Sequence, residues 1–80
     1  MKREVKGMQL SRRLKKLVSV VDDVQVELRA IMRELSRVYD EELAGLIDKW
    51  LRELEEAEAY LDEAEEIMWD VAEEMEREGL

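Results

Sequence analysis

From Leu10 onward the apolar positions of the first half recur at alternating steps of four and three: Leu10, Leu14, Leu17, Val21, Val24, Leu28, Ile31, Leu35, Val38. A second series keeps the same alternation: Leu43, Ile47, Trp50, Leu54, Ala57, Leu61, Ala64, Met68, Val71, Met75. Such steps average about 3.5 residues, the period of a seam between packed helices. Between Val38 and Leu43 the step is five, and the phase breaks. Two continuations are open: the chain folds back at "VYDEEL", or one long helix runs on through Tyr39, Leu43 and Leu46 with a stutter. Local chemistry favours folding back. Asp40 is a candidate N-cap, which puts Glu41 and Glu42 in the first turn of a second helix. Arg33 and Arg37 then fall in the last turns of the first, the sign its dipole prefers there. The expectation is a single domain over 1–80: a basic segment at 1–9, helix 1 over 10–39, a turn at 40–42 and helix 2 over 41–78.

Folding at Asp40 sets a register in which Val24 lies beside Ala57, Val21 beside Leu61 and Leu17 beside Ala64. The apolar surface is wider than one two-helix seam consumes. Val18, Met32 and Tyr39 broaden helix 1 on one side and Val20 on the other; Leu46, Tyr60 and Ile67 broaden one flank of helix 2, and Leu51 and Ala72 the other. A stripe this broad calls for further helical neighbours. The fold class expected is therefore all-α, an antiparallel two-helix hairpin with a heptad seam that dimerises into a four-helix bundle. From helix 1 the self-association residues are Leu14, Leu17, Val21, Val24, Leu28, Ile31 and Leu35. From helix 2 they are Ile47, Trp50, Leu54, Leu61 and Met68, with Trp50 in the core.

Composition narrows the chemistry. The chain has no cysteine, histidine, proline, phenylalanine, asparagine or threonine, and three glycines in 80 residues. Disulfides and thiolate metal sites are excluded, and so are the commonest general base and transition-metal ligand. What remains is rich in helix formers. Charged residues make up 44% of the chain, a balance of Glu with Lys and Arg found in hyperthermophile and designed helical proteins alike. The net charge of −9 is unevenly spread. Residues 1–39 carry ten bases and five acids, and residues 40–80 three bases and seventeen acids. An antiparallel hairpin lays the basic start "SRRLKKL" beside the acidic end "DVAEEMEREGL", so each supplies the other's countercharge. No apolar run approaches the ~20 residues of a membrane span, and "MKREVKGMQL" lacks the apolar core of a secretory signal. A cytoplasmic protein without membrane contact is expected.

Three features could carry function. Trp69 points outward by the heptad count, a large aromatic available to a partner protein unless Val5 and Met8 or a second subunit cover it. The bases Lys2, Arg3, Lys6, Arg12, Arg13, Lys15 and Lys16 could grip phosphates, and Arg12, Lys15 and Lys16 fall at outward positions. Interleaved aromatics are absent and the chain is acidic overall, so nucleic-acid binding is not favoured. In the acidic run, Glu55, Glu58, Asp62 and Glu66 recur at helical spacing and could offer oxygen ligands to magnesium. All-helical nucleotide pyrophosphatases hold magnesium with a Glu-x-x-Asp pair, but Glu66 to Asp70 is one residue longer, and most of these acids face solvent. No nucleophile–base arrangement, phosphate loop or dinucleotide fingerprint is present. Neither catalytic, metal nor cofactor residues are assigned, and an enzyme is not expected.

In length, paired heptads and the acidic "YDEE" bend, the chain resembles the Rop-type RNA-binding regulators of plasmid replication. That resemblance implies a hairpin that dimerises, and a nucleic-acid-binding regulator using the basic N-terminal arm as the alternative function. The reading preferred from the residues is a non-enzymatic, self-associating protein–protein assembly module, with a magnesium-dependent hydrolase as the lower alternative.

Overall fold

The computed structural model describes residues 5–80, with side chains from Leu10 onward. Two long helices, α1 (Val5–Leu35) and α2 (Ala44–Arg77), fold back on each other as an antiparallel hairpin. The rod measures 66 × 15 × 11 Å. Helix α1 therefore starts earlier and ends sooner than the heptad pattern implies, and the connection covers residues 36–43 rather than 40–42.

No glycine or proline stops α1; tightened hydrogen bonds do. Ser36 N still donates to Met32 O as in an α-helix, but Arg37 N donates to Glu34 O and Val38 N to Leu35 O, three residues back, while the Ser36 hydroxyl donates to Arg33 O at 2.7 Å. These bonds occupy carbonyls that a continuing helix would have used. Arg33 stands in the last turn as expected. Arg37 lies past it.

Asp40 does not cap α2. Its Oδ1 accepts the Glu42 N–H at 2.9 Å and its carbonyl accepts the Leu43 N–H, which makes a turn of residues 40–43. The N-cap position falls to Leu43, which offers no side-chain acceptor, and no acid occupies the first turn of α2. The carboxylate was diverted into the preceding turn because an Asx bond two residues on competes directly with capping. At the other end Gly79, with φ 84, closes α2: Leu80 N donates to Met75 O and Gly79 N to Glu76 O. This pair of bonds needs a left-handed residue, which glycine supplies without strain. The same turn brings Leu80 O to the Ser11 N–H, tying the end of α2 to α1.

The longer connection also shifts the register. Gln25 Nε2 donates to Asp62 Oδ1 at 2.7 Å and to Glu58 O at 3.3 Å, and Arg29 Nε donates to Glu58 Oε2. Residues of α1 thus meet α2 about six residues, or roughly one and a half turns, further along than a fold at Asp40 would set, and Val24 does not face Ala57.

Candidate functional site

The residues between the helices follow a heptad, rotated from the one the sequence displays. On α1 the shielded positions are Ser11, Leu14, Val18, Val21, Gln25, Leu28, Met32 and Leu35. On α2 they step through Ile47, Leu51, Leu54, Glu58, Leu61, Glu65, Met68, Ala72 and Met75, with Ala57 and Ala64 half-buried at the seam's edge. Of the expected self-association residues, Leu14, Val21, Leu28, Leu35, Ile47, Leu54, Leu61 and Met68 line this seam. Leu17, Val24, Ile31 and Trp50 do not. Ile31 is 50% and Trp50 39% exposed in the hairpin, so Trp50 is not in its core. Only Ile47 and Ala72 are buried apolar residues among those described, and no large side chain is fully buried.

The rotation has a clear direction. At 3.5 residues per turn, the rows Leu14/Val21/Leu28/Leu35 and Leu10/Leu17/Val24/Ile31 together point about 50° to one side of the line joining the helices. The matching rows of α2, through Trp50, Ala57, Ala64 and Val71, point to that same side, because the helices are antiparallel. Val20, Leu46, Tyr60 and Ile67 extend this flank outward, and all four are exposed. Half of the sequence's strongest stripe, through Leu17, Val24, Ile31, Trp50 and Val71, therefore lies exposed beside the hairpin.

The opposite flank is polar, and a lysine, a tryptophan and two glutamates meet on it. Lys15 Nζ donates to Glu76 Oε1 at 3.1 Å and stands 4.6 Å from the centroid of the Trp69 ring. Trp69 Nε1 donates to Glu73 Oε2 at 3.2 Å. Trp69 remains 42% exposed, yet one face carries a cation and its only donor is used. Lys15 is thus not free for an outside partner; its position beside the α2 end turns it inward. Arg12, Arg13 and Lys16 are exposed. The expected cover from Val5 and Met8, and the bases Lys2, Arg3 and Lys6, lie outside the described side chains.

Sequence reasoning missed the polar group in the middle of the rod. Gln25 is 2% exposed, and its row also contains Val18 and Met32, so the i, i+7 spacing marked it as inward-facing. Beyond it Glu65 approaches Asp22. A hydrogen bond shared with Asp22 raises the Glu65 pKa above the usual carboxylate range. Desolvation and the charges of Asp22 and Asp62 push the same way, and Arg29 opposes them. Glu65 Oε2 is shielded from water and accepts no hydrogen bond. The folded state holds this proton more tightly than the unfolded chain, so the penalty is full at neutral pH. It disappears as pH falls through the raised pKa toward the ordinary value of about 4.3. Glu65→Gln is accordingly expected to raise the thermal midpoint at pH 7 and leave it unchanged at pH 4. A lower midpoint at pH 7 would show that the carboxylate is stabilising as it stands.

Among the described residues no group of three or more acids is arranged to hold a metal ion, and no helix is long and apolar enough to cross a membrane. Comparison with family models, curated proteins and solved structures finds no match.

Proposed function

We propose that the chain is a self-associating helical module whose apolar flank is covered by a second copy, giving a four-helix bundle. The observation that carries this reading is the rotation of the stripe. In a square bundle each helix has two neighbours at right angles, and the centre of its apolar arc points between them, about 45° from either. The arc here points about 50° from the one neighbour present. Half of its angular width faces the hairpin partner, and the other half is the flank from Leu10 to Ile31 and from Trp50 to Val71.

Energetics support the same reading. A hairpin without one fully buried large side chain gains little from burial, while covering the flank removes several Leu, Ile, Val and Trp side chains from water. Each such side chain contributes about 1.5–3 kcal/mol when fully buried. Folding and association are then one equilibrium, and the thermal midpoint depends on concentration. A hundredfold increase in protein concentration is expected to raise it by several degrees; an unchanged midpoint from 1 to 100 µM would contradict the proposal.

The nucleic-acid alternative keeps Arg12, Arg13 and Lys16 as exposed bases but loses Lys15 to Glu76 and Trp69. The polar flank carries an open groove lined by Asp62, Glu65, Glu66, Trp69 and Asp70, but among the described residues no three acids converge there to hold the magnesium that the hydrolase reading needs. As an assembly module the chain acts by holding copies, and whatever they carry, at fixed relative positions.

A further inference from the structure

Resting on that dimer, we infer its orientation: the two hairpins associate with both turns at the same end, so that α1 of each copy faces α2 of the other. A two-fold symmetric, face-to-face pair of hairpins has two options. An axis along the rod keeps both turns together and sets α1 against the other copy's α2. An axis across the rod puts the turns at opposite ends, and sets α1 on α1 and α2 on α2.

Charge separates the two. Helix α1 holds seven bases against four acids, net +3, whereas α2 holds thirteen acids against three bases, net −10. The opposite-end arrangement therefore lines up two strongly acidic helices along their full length, about 50 Å. The same-end arrangement places every helix next to two of opposite net sign. It also brings Arg13, which no described acid of its own chain engages, toward the acidic end of the second copy's α2. Like-charge juxtaposition of this kind selects between otherwise similar packings.

Side-chain size agrees. The pairs Gln25–Asp62 and Arg29–Glu58 put Val24 and Ile31 within about a turn of the levels of Ala64 and Ala57. An axis along the rod preserves those levels between copies. The branched side chains of one α1 then meet the small residues of the other α2, instead of alanine meeting alanine.

The chain has no cysteine, so single labels are easily placed. Tyr39→Cys, at a turn residue 96% exposed, and Arg77→Cys, at the other end of the rod, would each carry a nitroxide, and the distance between copies would be read by double electron–electron resonance. Neighbouring helix axes lie about 8–10 Å apart, so the same-end dimer gives distances below about 30 Å at both positions. Distances near 50 Å or more at both positions would overturn the orientation and leave the dimer standing. No dipolar coupling, together with a monomeric mass, would instead overturn the dimer on which it rests.

Discussion

Ile31→Asp is expected to convert the protein to a monomer and to lower its thermal midpoint by more than 20 °C. In the isolated hairpin this side chain is half exposed, and an aspartate there would sit in water at little cost. In the bundle it lies within the covered flank, at its end nearest the turn, and two-fold symmetry buries the carboxylate twice. An unpaired buried charge costs about 3–5 kcal/mol, and partial exposure near the flank's edge reduces that to roughly 2–3 kcal/mol per copy. Two copies then weaken association by about 10³–10⁴-fold, at 1.4 kcal/mol for each factor of ten. Val26→Asp is the control. Val26 is also exposed and on the same helix, but it faces away from both the seam and the flank. It should leave the mass at that of the parent protein. Equal effects of the two substitutions, measured by sedimentation and circular dichroism, would show that the flank is not an interface.

Gln25→Leu is expected to do the reverse: to raise stability by about 1–2 kcal/mol while loosening the arrangement. Burying a leucine contributes about 1.5–3 kcal/mol, against about 1 kcal/mol for the hydrogen bonds lost. Neither partner is stranded. Asp62 is exposed and returns to water, and the Glu58 carbonyl remains within its helix. For a domain this size the midpoint should rise by about 5–10 °C. The glutamine's contribution is to register, as with a single polar residue in a helical seam: only one alignment satisfies it. Removing it should broaden the distance distribution between labels at the two ends of the rod. A midpoint that falls would mean the Gln25–Asp62 bond stabilises the fold outright.

The hairpin and its apolar stripe were legible in the sequence because both follow from a 3.5-residue period and one phase break. What the period cannot say is which half of a broad stripe meets the nearest helix. Leu17, Val24, Ile31 and Trp50 look like seam residues along the chain, and Val18, Met32 and Ala72 look like its margins. The structure exchanges their places, since the stripe's centre points about 50° away from the one helix it packs against. The start of α2 departs from the sequence pattern for a local reason. Asp40 is an equally good acceptor for an Asx turn and for a helix cap, and the turn won. Lys15 and Trp69 each face outward by the heptad count of their own helix; their contact depends on the register between helices, which a turn three residues long would set differently.

The most direct test of the central claim is the solution mass of the unmodified protein by sedimentation equilibrium at neutral pH. The chain is 9.5 kDa. The account predicts twice that mass at micromolar concentrations, with dissociation accompanied by loss of helix. A folded monomer that persists to high concentration would contradict it.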